Sequence, residues 1–215
     1  MGGMSEGLRE RKKRQTRQYI SDVATGLFLE RGFDAVTIAE IAEAADVSVN
    51  TVYNYFEAKE DLFLDRSKGI VDRLPRLVRG REVGESAADA ILRGLREEVE
   101  AVSPKVGLFD GYARFMRVVQ DSHALRSRLW FIQQEVLTRL ETALKEEMGA
   151  AEDEMLPTLV AGQLAWAHGT LMGWIGGQMV RGREPEAVSR EALVLLDDIE
   201  EILGEPVRTY GVREG

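Results

Sequence analysis

Residues 48–55 read SVNTVYNY, and the side chains a helix turns outward here are the kinds that bind nucleic acid. Asn50 can pair bidentately with an adenine edge, and Val49 or the Thr51 methyl can touch a thymine methyl. Asn54 follows Asn50 by about one turn, while Tyr53 and Tyr55 carry hydroxyls suited to phosphate oxygens. Upstream, Thr37 can offer a phosphate its hydroxyl and the N-terminal amides of a helix; downstream, Lys59 can add another phosphate contact. Other chemistry is thinly supplied. The chain has no cysteine, so disulfides, thiolate nucleophiles and cysteine-bound zinc are excluded, and a reducing cytoplasmic interior is its natural home. Its two histidines, His123 and His168, are far apart and lie in no HExxH motif. With no glycine-rich phosphate loop and no nucleophile elbow, the sequence argues against an enzyme, and neither a metal nor a cofactor is expected.

The elements that must present these residues follow from spacing. Apolar residues recur at three and four rather than two, which predicts an all-α protein. A first helix is predicted over about 12–31, with Ile20, Val23, Ala24, Leu27 and Phe28 inward and Gly32 as its stop. Thr37 and Glu40 fit a capping box that opens a second helix, with Ile38, Ile41 and Ala42 inward, ending near Ala45. Asp46 and Val47 make the turn, and Ser48 caps a third helix from Val49 to about Phe56, with Val52 and Phe56 inward. Two short helices across so tight a turn form a helix-turn-helix: the first lies across the phosphate backbone and the second enters the major groove.

The net charge of −9 argues against a nonspecific nucleic-acid binder, but charge position matters more than the sum. Arg9, Arg11, Lys12, Lys13, Arg14 and Arg17 crowd into nine residues, whereas beyond Lys68 the chain has 18 basic and 25 acidic residues. The basic run can supply counterion-releasing charge to DNA or remain a solvated tail. No apolar segment follows it, so no signal peptide is expected.

Residues 20–63 resemble the N-terminal domain of the TetR family of transcriptional regulators. The resemblance rests on Ala24 to Phe33 at the end of the first helix, on TIAEIAEAADVS and on TVYNYFEAKEDLF, about a fifth of the chain. The family commonly has glycine where Asp46 stands here, which implies a positive φ at that position and a strain of about 1 kcal/mol for an aspartate. The resemblance implies a three-helix DNA-binding head, a linking helix, and a larger helical domain that dimerises and encloses a small-molecule pocket. It implies phosphate roles for Thr37, Tyr53, Tyr55 and Lys59, and base reading by Val49, Asn50, Thr51 and Asn54, with Ser48 as the cap between them. On that pattern residues 1–11 form a disordered arm, 12–58 the head, 59–80 a linking helix over about 59–77 with Pro75 at its end, and 81–215 the ligand-binding and dimerisation domain.

In the larger region, helices are predicted near 85–102, 104–120, 122–148, 153–181 and 185–204. Met155 to Val180 holds no charged residue and is long enough for a bilayer, but its Pro157, Gln163, His168 and glycines fit a buried helix better. The family pattern assigns this helix and the next to the dimer interface. In the last helix Val188, Leu195, Ile199 and Ile202 are read as one apolar side, with Leu196 and Leu203 nearby. Phe109, Tyr112, Phe115, Met116, Trp130, Phe131, Trp166, Met172 and Trp174 can be ordinary core or, as a set, the wall of an apolar cavity whose polar anchors are Gln133, Gln134 or His168. The reading is a cytoplasmic homodimeric repressor that grips a pseudo-palindromic DNA operator and is released by a small apolar or aromatic ligand, with no membrane partner. An activator, a ligand-independent DNA binder of the same fold, a nucleoid-type binder and a plain helical hairpin are the alternatives.

Overall fold

The structure, a computed structural model, describes residues 7–65 and 69–215. Among them there are eleven α-helices and no strand: α1 Leu8–Arg31, α2 Ile38–Ala44, α3 Val49–Tyr55, α4 Lys59–Phe63, α5 Arg73–Arg79, α6 Ala87–Glu100, α7 Tyr112–Asp121, α8 His123–Met148, α9 Leu156–Val180, α10 Pro185–Ile202 and α11 Glu205–Arg208. The all-α expectation holds. The chain divides into two compact units, Met1–Ser67 with Arg117–Arg128, and Lys68–Met116 with Leu129–Gly215.

The smaller unit is built on α1. Ile20, Ala24 and Phe28 recur every fourth residue and are fully buried, and Ser21 Oγ donates to the Leu62 carbonyl at 2.9 Å. The Phe28 ring lies 4.9 Å from Phe33 and 5.7 Å from Phe63, the latter edge-on, so one aromatic cluster joins α1, the following turn and α4. Gly32 stops α1 at φ 85°, and its N–H closes on the Phe28 carbonyl. The helix begins at Leu8, earlier than expected, so the basic run 9–17 lies on its first turns; residues 1–6 of the expected arm lie outside the described residues. The last turn of α7 and the start of α8 complete this unit. Val118, Val119 and Leu125 are buried, Ser122 Oγ donates to Asp34 at 3.1 Å, and Arg128 donates to the buried Asp61 at 3.0 and 3.3 Å.

The continuous helix expected over 59–77 is not formed. α4 ends at Phe63 and α5 begins at Arg73, with residues 66–68 outside the described residues. Pro75 explains part of the break. It has no N–H to offer the carbonyl four residues back and its ring crowds that carbonyl, so it fits in the first turn of a helix better than in its interior. Pro75 therefore marks the start of α5, not the end of a long helix.

In the larger unit α6 is the centre. It packs against α5, α10 and α11, and α10 packs in turn on α9. Ser86 and Asp89 form a capping box at its start, and its inner face buries Ala87, Ala90, Ile91, Gly94, Leu95 and Val99. Ser189 of α10 donates to the Val99 carbonyl at 2.6 Å, and Arg96 reaches Asp197 and Glu200 at 2.6 and 2.7 Å. The inner face of α10 is Val188, Ala192, Leu196, Ile199 and Leu203. Ile202 is 68 % exposed and Leu195 half-buried, so the predicted stripe is rotated by about one residue. The expected helix over 104–120 is a 3-10 turn, Pro104–Val106, followed by α7, with Gly107 at φ 85° and Gly111 at φ 89° between them.

The end of α6 carries a strained residue. The Ser103 N–H reaches the Glu98 carbonyl and the Val102 N–H the Val99 carbonyl, both at 3.0 Å. This places Val102, at φ 48°, in the left-handed position normally held by glycine. A β-branched residue there costs about 1–2 kcal/mol. Val102→Gly is expected to raise the stability of this unit by about 1 kcal/mol, read as a higher urea midpoint at unchanged slope. A lowered midpoint would show that packing of the valine outweighs the strain.

Candidate nucleic-acid interface

The helix-turn-helix is assembled by its caps. Thr37 is the N-cap of α2: its Oγ1 accepts from the Glu40 N–H at 3.3 Å, and the Glu40 carboxylate accepts from the Thr37 N–H at 2.7 Å and its hydroxyl at 2.8 Å. The predicted capping box is present. It also commits the Thr37 hydroxyl hydrogen to Glu40 and the Glu40 N–H to Thr37, leaving the Ile38 and Ala39 amides as the first-turn donors of α2. Asp46 makes the turn at φ 52°, as its position required, and the Val47 N–H closes on the Ala42 carbonyl at 2.9 Å. Ser48 caps α3 by accepting from the Thr51 N–H at 3.0 Å, and the two hydroxyls lie 2.8 Å apart. The Thr51 hydroxyl is thereby turned back on the cap, leaving its methyl as an apolar contact.

α3 buries Val52, with Phe56 closing its end, and exposes the opposite side. Asn50 and Asn54 are exposed, Val49 is 41 % exposed and Tyr53 54 %, while Thr51 and Tyr55 are half-buried. Of the predicted base-reading residues, Val49, Asn50 and Asn54 are exposed to solvent and Thr51 is half-buried.

Two basic residues are partly engaged inside the head. Arg17 donates to Asp65 at 2.9 and 2.7 Å and to the Tyr55 carbonyl, and its guanidinium lies 4.3 Å from the Phe56 ring centre. It fixes the end of α3 against α1, a role its place in a basic run concealed. Lys59 donates to the Phe33 carbonyl at 2.6 Å, with its ammonium 4.3 Å from the Phe33 ring centre. Burial pushes its pKa down. One of its three N–H groups is held by the protein, so only the others can reach outward. Arg9, Arg11, Lys12 and Lys13 are exposed on the first turns of α1.

Arg31 donates to Glu40 at 2.5 Å. This contact, followed by the Thr37 backbone and hydroxyl bonds, holds the Glu40 carboxyl at a pKa of about 2, below its ordinary value of 4.5. The folded-state value is depressed, so the stabilisation is present above pH 4.5 and is lost as pH falls toward 2. The exchange protection factors of the Thr37 and Glu40 amides are expected to fall as pH drops across that window. Glu40→Gln should remove the pH dependence of exchange protection; an unchanged profile in that variant would mean another group governs the cap.

The residues predicted to line a cavity divide in the larger unit. Phe109, Tyr112 and Phe115 form an edge-to-face cluster, with Phe109 5.4 Å from Tyr112 and 6.4 Å from Phe115. The Tyr112 hydroxyl lies against Gly176 of α9, where a side chain of any size would meet it. Met116 and Met172 are half-buried. His168 is buried, and burial and then the Arg73 cation lower its pKa to about 4. By contrast, Trp130 and Phe131 are each 56 % exposed and Trp166 is 49 % exposed, while Gln133 and Gln134 face solvent. Among the described residues no group of His, Asp and Glu is arranged to hold a metal ion, and no helix is long and apolar enough to cross a membrane.

Comparison with known proteins places this geometry. Residues 20–65 match the profile of the family described as bacterial regulatory proteins, tetR family. The HTH-type transcriptional regulator TcmR of Streptomyces glaucescens is 27 % identical over 160 residues, 72 % of this chain and 70 % of that protein. The HTH-type transcriptional repressor KstR2 of Rhodococcus jostii is 34 % identical over 74 residues, which span 34 % of this chain and 35 % of KstR2. Among solved structures, native NalD, the secondary repressor of a multidrug efflux pump in Pseudomonas aeruginosa, aligns at a TM-score of 0.58 with 20 % identity, over 89 % of this chain and 98 % of that one. A SmeT–triclosan complex aligns at the same TM-score and identity, over 94 % and 98 %. These structural likenesses establish the fold.

Proposed function

Because this chain belongs to the TetR family of transcriptional regulators, and is not an enzyme, we propose that it is a homodimeric repressor whose grip on a pseudo-palindromic operator is released by a small apolar or aromatic molecule. The observation that carries the reading is the exposed, capped face of α3, with Val49, Asn50, Tyr53 and Asn54 turned to solvent. On it, Asn50, Val49, Asn54 and the Thr51 methyl read bases; Tyr53, Tyr55, Lys59 and the α2 amides at Thr37 hold phosphates; Ser48 positions the helix. The proposed domain order is an N-terminal arm over 1–11, a head over 12–58, a connection over 59–80 and an effector and dimer domain over 81–215. The working compartment is the cytoplasm.

Dimerisation is supported by the outer face of α9. Leu159 and Trp166 are 59 % and 49 % exposed, and Gly162, Gly169, Gly173 and Gly177 have open space where a side chain would project. On α10, Val194 and Ile202 are 60 % and 68 % exposed. An apolar face with small residues lets a second copy approach closely, and a two-fold pair of heads matches successive major grooves. Release by an effector is supported by the aromatic cluster at Tyr112 and by SmeT, a fold relative that forms a complex with triclosan. A coupling of about 1–3 kcal/mol, roughly 5–150-fold in operator affinity, is sufficient.

The test is to titrate the operator complex with molecules extracted from the purified protein or drawn from an aromatic library, following DNA release by anisotropy. A compound that binds the larger unit and lowers operator affinity at least fivefold supports the reading. If compounds bind that unit and none alters operator affinity, release by an effector is wrong.

A further inference from the structure

The C-terminal end of α3 is not finished by its own residues. A helix of seven residues has few internal hydrogen bonds, and its last carbonyls need partners from outside. α3 has no basic residue in its last turn, and Phe56 leaves it in extended backbone rather than in a left-handed cap. The donor comes from α1, 38 positions earlier: Arg17 Nη1 donates to the Tyr55 carbonyl. Positive charge at this end also complements the helix dipole.

The guanidinium is fixed in place by further contacts. Nε and Nη2 both donate to Asp65 Oδ1, at 2.9 and 2.7 Å, and the guanidinium carbon lies 4.3 Å from the Phe56 ring centre. The side chains of Arg17 and Asp65 are only 25 % and 10 % exposed. All three guanidinium nitrogens thus donate within the head, and a rigid fork held on a carboxylate, a carbonyl and a ring has one position. The two ends of α3 therefore depend on different devices. Val49 and Asn50, in the first turn, follow the Ser48 cap, whereas Asn54 and Tyr55, at the other end, follow Arg17.

Resting on the reading of α3 as the base-reading helix, we propose that Arg17, locked by Asp65, is a positioning residue that sets DNA specificity without touching DNA. It caps α3 from α1 and so orients Asn54. The base pair met by Asn54 is then governed by two residues outside α3, while the one met by Asn50 is not. Asp65 belongs to the same device, although its charge alone repels phosphates.

The test is competition binding of the full chain to operators randomised one position at a time, repeated over a salt series. Asn54→Ala first identifies the base pair at which Asn54 exerts a preference; if no preference is lost, the proposal fails. Arg17→Gln is expected to lower operator affinity about tenfold or more, to flatten the preference at that base pair and to keep the preference at the one read by Asn50. Its salt slope should remain that of the parent, whereas losing a phosphate contact lowers the slope by about one. Asp65→Asn, whose amide can still accept from Arg17 and keep the head folded, should show the same selective loss in weaker form. A slope reduced by about one with base preferences intact makes Arg17 a phosphate contact and overturns the proposal. Tighter binding by Asp65→Asn overturns it too, since the acid would then act by charge alone. A parent chain with no preference at any position overturns the base-reading role of α3 itself, and this proposal with it.

Discussion

Phe28→Ala is expected to destabilise the DNA-binding head by about 3–5 kcal/mol. Phe28 is fully buried, and its ring touches both Phe33 and Phe63, so one truncation removes the contact that ties α1 to the following turn and to α4. The Lys59 ammonium stands 5.6 Å from the same ring centre, and the cavity would open beneath it. A loss of this size is a large part of the stability of a small unit, so operator binding should fail well below the melting temperature of the parent protein. Urea unfolding followed by circular dichroism reads the loss. Trp130, Trp166 and Trp174 all belong to the larger unit, so their fluorescence reports separately on whether that unit stays folded. A change below about 1 kcal/mol would show that the head collapses around the vacancy and that the aromatic cluster is not its keystone.

Asn50→Ala and Tyr53→Ala are expected to fail differently. Both side chains are exposed on α3, so neither change should unfold the head. An amide paired bidentately with adenine supplies about 1–3 kcal/mol of discrimination, so Asn50→Ala should relax the choice at one base pair in each half-site. A hydroxyl on a phosphate carries no sequence information, so Tyr53→Ala should weaken all sequences alike. Competition binding against operators randomised one position at a time separates the two. Equal, sequence-independent losses in both variants would remove Asn50 from base reading.

How much of this was legible depends on the range of the interactions. The caps at Thr37 and Ser48 and the inward Val52 and Phe56 are set by residues within a few positions of one another, and local spacing reveals them; the left-handed turn at Asp46 is legible only through the glycine that the family has there. Arg17, Asp61 and Arg128 were hidden because their partners lie 38 to 67 residues away, and nothing local tells a structural arginine from a DNA-facing one. The break between α4 and α5 was misplaced because apolar periodicity through Leu62, Phe63, Ile70 and Leu74 continues across it, while Pro75 was read as a stop rather than a start. In the larger unit, tryptophan and phenylalanine fit a cavity wall and an outer face equally well. Only the fold shows that Trp130, Phe131 and Trp166 are exposed while His168 is buried.

The central claim is that α3 reads a particular DNA sequence. The most direct measurement is to select fragments of the source genome on the purified full chain at ~150 mM salt, where electrostatic binding is screened, and to sequence those retained. The account predicts one enriched pseudo-palindrome, with half-sites about one helical turn apart and a preference of ~10³–10⁷ over random fragments. Retention of fragments that share no motif, with affinity governed by salt alone, would contradict it.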